Sequence, residues 1–131
     1  MKDDLGDRMK LYEGAEAGRR LMPLLPALAR IDGRAFHSFT RGMARPFDAT
    51  FSACMAETTA ALVRDTGACM GCTQSDEITL AWHARTTQSQ IYFDGRVAKM
   101  TSQLAAQATL IFYRLVVDRL PQYADRLPTF D

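Results

Sequence analysis

Hydrophobic and polar positions follow different spacings in successive segments of the chain. Residues 3–20 are mostly polar with apolar positions at helical spacing, which predicts an amino-terminal helix, and prolines then mark a loop over 21–26. A short apolar run over 28–31 ends at Asp32, as in a buried strand that delivers a side chain to the edge of a sheet. The first third of the chain therefore predicts a helix, a loop and a strand.

The middle of the chain predicts a helix and then a hairpin. Apolar residues from 47 to 64 fall on one helical stripe, and Asp48 stands where a helix cap is expected. Residues 68–74 and 77–83 show the alternation of two short strands, which places Asp76 at the tip between them.

A long amphipathic helix closes the pattern. Apolar residues recur at three and four from Val97 to Leu115, and the helix should stop before Pro121. The resulting order, β-α-β-β-α after an amino-terminal helix, predicts an α+β fold of the ferredoxin-like, split β-α-β kind. Its last strand would begin at 128–131, so we expect residues 1–131 to form one domain that is cut short.

Composition narrows the class of protein without naming a partner. With 131 residues, 47% hydrophobic and 24% charged, the chain is expected to build one core. A net charge of +1 gives no long-range field toward nucleic acid or membrane. No apolar run of about 18 residues occurs and the amino terminus is of mixed charge, so we expect a cytoplasmic protein with no membrane contact.

The three cysteines are expected to be reduced thiols. Cys54, Cys69 and Cys72 are an odd number in a chain without an export signal, which argues against a disulfide framework. Cys69 and Cys72 form a C-x-x-C, but His37 and His83 do not stand at zinc-ligand spacing from them or from each other. We interpret the cysteines as packing residues, with a metal or redox role as the alternative.

Two aspartates stand where the predicted sheet would bring them together. In a β-α-β-β arrangement the first strand lies beside the hairpin, so Asp32 and Asp76 can converge at one sheet edge. Carboxylate oxygens suit Mg²⁺, and two such ions about 4 Å apart stabilise the attacking and leaving oxygens of a phosphoryl transfer. Glu77 adds a third carboxylate.

Groups suited to phosphate follow the first strand and open the last helix. Gly33 allows a close backbone approach, and Arg34 and His37 supply donors. Arg96 and Lys99 lie three apart on one helix face, where both can contact a triphosphate.

Each of these features also has an ordinary structural explanation. A single aspartate at a strand end or hairpin is commonly a turn residue, and His37 alone is commonly packed or solvated. Arg96 and Lys99 alone would be a solvated helix face, and Trp82 is a core residue. The combination of these residues favours a functional site.

Several strings together resemble one known family. Residues 30–37, RIDGRAFH, and 74–77, QSDE, resemble the two metal-site motifs of the tRNA-His guanylyltransferase family, in the expected order. Residues 45–48, RPFD, are similar to its Lys-Pro-Asn-Asp stretch, and 95–99, GRVAK, to its basic helix start. The opening over 5–13 is more similar to the bacterial and archaeal guanylyltransferase-like branch.

The resemblance implies a polymerase-like palm that works in the reverse direction and adds nucleotides such as GTP to the 5′ end of tRNA. It implies two Mg²⁺ ions on Asp32, Asp76 and the Gly33 carbonyl, with Glu77 as a further catalytic carboxylate. GTP or ATP would be the nucleoside triphosphate. The residues implied in nucleotide binding are Gly33, Arg34, Ala35, Phe36, His37, Arg45, Ser75, Arg96 and Lys99.

The family also sets the biological expectations and their alternatives. Its like-protein branch implies repair of 5′-truncated tRNA more than tRNA-His guanylylation, and family members form tetramers. Family members are longer and carry further tRNA-binding surface, so a catalytically incomplete nucleotide- or RNA-binding fragment is an alternative. Another two-metal palm enzyme, such as a nucleotide cyclase, is a second alternative, although the glycine pair of GGDEF-type cyclases is absent.

Overall fold

A computed structural model describes residues 3–131 of the chain. The elements, in chain order, are helix α1 Asp4–Ala17, strand β1 Ala27–Asp32, helix α2 Phe36–Phe39, helix α3 Ala49–Thr66, strand β2 Met70–Gln74, strand β3 Glu77–Trp82, a 3₁₀ helix Tyr92–Gly95, helix α4 Val97–Arg119 and a 3₁₀ helix Pro121–Arg126.

The strands form an antiparallel sheet in the order β1-β3-β2. Strand β3 lies between β1 and β2, which therefore run parallel to each other, and α3 connects them. This is the split β-α-β arrangement. The predicted α+β fold is confirmed.

One face of the sheet is buried against α3 and α4, and the other is open. Ile31, Ile78 and Leu80 are 0 to 2% exposed, whereas Arg30, Glu77 and Thr79 on the other face are exposed or half-exposed. Helix α3 begins at Asp48, whose carboxylate accepts a hydrogen bond from the Phe51 N–H at 2.9 Å, as the sequence predicts. The functional residues must therefore be sought on the open face and at the sheet ends.

A cluster of aromatic rings fills the core below the end of β1. The Phe36 ring lies 5.0 Å from Phe39, 6.1 Å from Phe51, 5.5 Å from Phe112 and 5.0 Å from Phe130, centroid to centroid. These rings come from α2, α3, α4 and the end of the chain. Their tilted and edge-to-face contacts hold four segments together around one point.

The last residues of the chain pair with the outer edge of β1. The Asp32 N–H donates to the Asp131 carbonyl at 2.9 Å, and the Asp131 N–H donates back at 3.0 Å. The Arg34 N–H donates to the Thr129 carbonyl at 2.9 Å, and Gly33 forms an antiparallel bridge with Phe130. Residues 129–131 thus lie where the sequence predicts a further strand to begin.

Three short helices were not predicted from the sequence, and helix α1 buries none of its residues. Helix α2 and both 3₁₀ helices are too short to leave a periodic signal, and the sequence did not predict them. Helix α1 forms as predicted, but none of its residues is buried. Within the described residues, no helix is long and apolar enough to cross a bilayer.

Replacing Phe112 with alanine should strongly destabilise the fold, because its ring is 0% exposed and contacts four of the aromatic rings. We expect a loss of about 3–5 kcal/mol in the free energy of unfolding, measured by urea denaturation. Leu110→Ala, on the exposed face of the same helix at 63% exposure, should change it by no more than about 0.5 kcal/mol. Equal effects of the two changes would contradict this picture of the core.

Candidate functional site

Asp32 ends β1 at the open side of the sheet. It lies opposite Glu77, the first residue of β3. The backbone N–H and C=O of Asp32 both bond to Asp131, so Asp32 and Glu77 form a non-hydrogen-bonded pair of the antiparallel ladder. In such pairs the two Cα atoms approach to about 4.5 Å. The Asp32 and Glu77 side chains are 44% and 42% exposed. The two carboxylates therefore stand side by side at an accessible sheet edge.

Arg30 brings a positive charge to both carboxylates. Its guanidinium lies 3.6 Å from an Asp32 carboxylate oxygen and donates a hydrogen bond to the Glu77 carboxylate. Arg30 and Asp32 share the open face because strand side chains alternate. The positively charged Arg30 guanidinium thus lies between the two carboxylates. Carboxylate oxygens are hard donors, so the charge and the ligand type of this pair fit a magnesium ion. In residues 3–131, however, no three His, Cys, Asp or Glu side chains lie close enough to form a complete metal cluster.

Asp76 occupies the two-residue turn between β2 and β3, as predicted. Its backbone carbonyl accepts a hydrogen bond from the Gly33 N–H at 2.9 Å, and its neighbour Ser75 has a left-handed φ of 55°. The structure therefore ties the loop after β1 to the hairpin turn. Asp32, Gly33, Ser75, Asp76 and Glu77 all lie at this end of the sheet.

Gly33 is required by its close approach to an aromatic ring. A Cβ at this position would lie 2.5 Å from the Phe36 ring. That ring is 2% exposed and belongs to the core cluster. The Phe36 side chain therefore supports Gly33 from below, and a role for Phe36 in nucleotide binding stays a prediction. Ala35, in a left-handed conformation with φ 54°, turns the chain into α2.

Arg34 and His37 are exposed on the same turn. Arg34 is fixed through its backbone hydrogen bond to Thr129, and His37 lies in α2. Both side chains are accessible near the end of β1.

A pocket of about 140 Å³ lies beside the hairpin turn. Ser75 and Arg45 line it, as do Asp48 and Phe47. The Asp48 carboxylate accepts from the Phe51 N–H and, at 3.3 Å, from the Ala44 N–H, which holds the loop after α2 in place. The structure therefore brings Arg45 and Ser75, predicted separately, to one cavity.

Arg96 and Lys99 lie at the other end of the sheet. Tyr92, just before them, stacks on Trp82 with ring centroids 6.2 Å apart, and Trp82 pairs with Ala27 at the start of β1. Ala27 lies five residues before Asp32, roughly 16 Å along the strand. Both cations are exposed, and within the described residues neither forms an ion pair with the Asp32 or Glu77 carboxylate.

The cysteines do not all pack as expected. Cys54 is buried in α3, and burial raises the pKa of its thiol, which keeps it neutral. Cys69 and Cys72 are exposed free thiols on and next to β2. The interpretation of all three as core residues is therefore wrong for Cys69 and Cys72.

Sequence reasoning missed two residues of the site. In the sequence, Arg30 was identified only as part of a motif. Its position two residues before Asp32 on a strand nevertheless predicts that both side chains lie on the same face of the sheet. Asp48 was assigned only as a helix cap, and nothing in the local pattern shows that its loop lines a cavity with Ser75.

The fold and the site define the class: an α+β protein of split β-α-β arrangement with carboxylates at the adjoining ends of β1 and the hairpin. A sequence profile of tRNAHis guanylyltransferase matches residues 6–131. The chain belongs to the tRNAHis guanylyltransferase family.

Solved structures support the same assignment. Two structures of bacterial tRNAHis guanylyltransferase-like protein, one in complex with ATP and one with GTP, are each 35% identical to the chain, with TM-scores of 0.88 and 0.87. Each matches 98% of this chain, which covers 55% and 61% of their lengths. The tRNAHis guanylyltransferase of Saccharomyces cerevisiae, at 24% identity and TM-score 0.74, shares the fold over 86% of this chain and 51% of its own length.

A curated relative is also longer than the chain. An uncharacterised protein of Acanthamoeba polyphaga mimivirus is 34% identical over 92% of this chain, which covers 44% of that protein. The chain thus spans about half the length of the relatives that it matches.

Gly33→Ala should destabilise the protein, because the added Cβ would press on the buried Phe36 ring. We expect a loss of about 1–3 kcal/mol in the free energy of unfolding, measured by urea denaturation. Gly14→Ala is the matched control, since a Cβ there meets nothing within 4 Å and alanine favours the helix. A Gly33→Ala protein as stable as the parent would refute the close-packing argument.

Proposed function

We propose that the chain acts as a magnesium-dependent nucleotidyltransferase that adds nucleotides, GTP first among them, to the 5′ end of tRNA in the 3′–5′ direction. The observation that carries the proposal is the pairing of the Asp32 and Glu77 carboxylates, both in contact with the Arg30 guanidinium, beside the Ser75 pocket. Its support from relatives is membership of the family and 35% identity to bacterial proteins solved with ATP and GTP.

The proposed metal ligands are Asp32, Asp76 and the Gly33 carbonyl, with Glu77 as the further catalytic carboxylate. Asp32 and Glu77 both contact the Arg30 guanidinium. The hydrogen bond from the Gly33 N–H to the Asp76 carbonyl keeps the loop after β1 next to the hairpin turn. Magnesium bound there would polarise the phosphoryl oxygens and stabilise the attacking and leaving oxygens.

The nucleotide is proposed to lie between this edge and the Ser75 pocket. Arg45 and Ser75 line the pocket, while Arg34 and His37 are exposed on the neighbouring turn. Their roles would be to hold phosphates by charge-assisted hydrogen bonds and to position the base. Ala35 contributes through its backbone conformation, which sets the direction of the turn.

Arg96 and Lys99 are assigned a different role within the same site. Neither cation forms an ion pair with the Asp32 or Glu77 carboxylate within the described residues, whereas Arg30 does. We propose that Arg96 and Lys99 instead contact the triphosphate of the nucleotide from the start of α4.

The proposed reaction has two phosphoryl transfers. In the first, an oxygen of the tRNA 5′-monophosphate attacks the α-phosphorus of a nucleoside triphosphate, which forms a phosphoanhydride and releases pyrophosphate. In the second, the 3′-hydroxyl of the incoming nucleotide attacks the tRNA 5′-phosphorus, loses its proton and displaces the nucleoside monophosphate. We propose that the protein repairs tRNA 5′ ends or guanylylates tRNA-His, and that residues 1–131 form one catalytic palm domain. We further propose that the protein assembles as a tetramer and acts in the cytoplasm.

The length of the relatives favours a second candidate function. Because the chain covers 44 to 61% of the relatives, the site can be present while part of the tRNA-binding surface is not. In that case the chain would bind nucleoside triphosphate and metal without completing the transfer.

The experiment is incorporation of labelled GTP at the 5′ end of a 5′-truncated tRNA, with and without magnesium. Asp32→Ala and Asp76→Ala should each reduce incorporation by about 100-fold or more, because each removes a proposed ligand of the metal that stabilises the transition state. Asp65→Ala, which removes an exposed carboxylate on α3, should leave it unchanged.

GTP binding, measured by calorimetry on the same proteins, separates the two candidates. Incorporation that depends on Asp32 and Asp76 supports the transferase. Binding of GTP without incorporation supports the incomplete site, and the absence of both in a folded protein overturns the proposal.

A further inference from the structure

Phe47 has the most exposed large hydrophobic side chain within residues 3–131, at 79%. It stands in the loop between α2 and α3, directly before the Asp48 cap. Its neighbours Phe36, Phe39 and Phe51 are buried at 2 to 8% exposure, so Phe47 takes no part in the aromatic core. A single exposed apolar side chain is ordinary on a protein surface. The position of Phe47 gains meaning because the residue also lines a cavity.

That cavity, the Ser75 pocket, combines apolar and polar walls. Met43 and Phe51 line it and are buried, whereas Phe47 lines it and is open to solvent. Three residues that carry hydroxyls complete the lining: Thr40, Ser52 and Ser75. The volume of about 140 Å³ is close to that of an apolar cavity of about 150 Å³ that holds benzene. The pocket therefore has room for a flat ring beside an exposed aromatic side chain.

The charges of the pocket favour an uncharged group over a phosphate. Arg45 and Asp48 both line it, so a positive and a negative side chain offset each other. The Asp48 carboxylate is held in place by the Phe51 N–H at 2.9 Å and the Ala44 N–H at 3.3 Å. A fixed negative charge repels phosphate oxygens. The part of a nucleotide that suits this pocket is therefore its base.

We propose that Phe47 stacks on the base of the bound nucleoside triphosphate and makes the site prefer purines. The inference rests on the proposed function, in which the phosphates lie at the carboxylate edge. Ser75 lines the pocket and precedes Asp76 in the hairpin turn, so base and phosphates would lie on either side of one turn. Stacking uses the face of a base and not its hydrogen-bonding edge. A purine offers two fused rings and a pyrimidine one, so GTP and ATP bind with similar affinity and both bind more tightly than CTP or UTP.

The test compares binding of GTP and of inorganic triphosphate, which has no base, by calorimetry on the full chain in magnesium buffer. Phe47→Ala should weaken GTP binding about tenfold, the usual effect of losing one base–aromatic stack. It should leave binding of inorganic triphosphate unchanged. Phe47→Tyr keeps the ring and should bind GTP like the parent. A loop that was merely distorted by the substitution would bind both ligands more weakly.

Leu11→Ala is the matched control in the protein. Leu11 is 71% exposed on α1 and does not line the pocket, so its loss removes a similarly exposed apolar side chain elsewhere. This variant should bind GTP and inorganic triphosphate like the parent. Because Phe47 is exposed, Phe47→Ala should also keep the midpoint of urea denaturation. The preference of the parent for GTP and ATP over CTP and UTP should shrink in Phe47→Ala.

Three results would overturn the inference: unchanged GTP affinity in folded Phe47→Ala, an equal loss of GTP and inorganic triphosphate, or equal affinity of the parent for purine and pyrimidine nucleotides. Any of these, together with GTP incorporation that depends on Asp32 and Asp76, would leave the proposed function standing. A folded parent chain that binds no GTP and incorporates none would overturn both.

Discussion

The ring of Phe36 lies directly beneath Gly33 and contacts rings from every element around the end of β1. Because Phe39, Phe51, Phe112 and Phe130 surround it, α2, α3, α4 and the chain end meet at one buried point. The loop that follows Asp32 rests on this point with no space for a Cβ at Gly33. The position of the carboxylate edge is therefore set by aromatic packing, and the polar site depends on an apolar support.

Much of the fold could be predicted because its long elements repeat a clear period. The stripes of α3 and α4 and the alternation of β3 follow from burial on one face, and the Asp48 cap follows from its side-chain chemistry. Helix α2 could not be found in this way, because four residues contain little more than one turn. Only the structure shows that its first residue, Phe36, is the centre of the core.

The candidate site was predictable in its residue types and less so in its arrangement. A motif identifies Asp32, Asp76 and Glu77 as neighbours in function, and strand pairing then accounts for the Asp32–Glu77 contact. It does not show the direction of a side chain or the distance between segments. Phe36 therefore turned out to be buried, and Arg96 to lie at the far end of the sheet, because long-range packing decides both.

The hydrogen bond from the Gly33 N–H to the Asp76 carbonyl limits how this family can vary in length. One residue inserted into the turn between β2 and β3 would move the carbonyl away from Gly33. It would also shift the strand register by one, which turns Glu77 from the open face toward the core. Insertions and deletions should therefore accumulate in loops remote from this junction, such as residues 83–91. The loop after β1 and the turn between β2 and β3 should both keep a constant length.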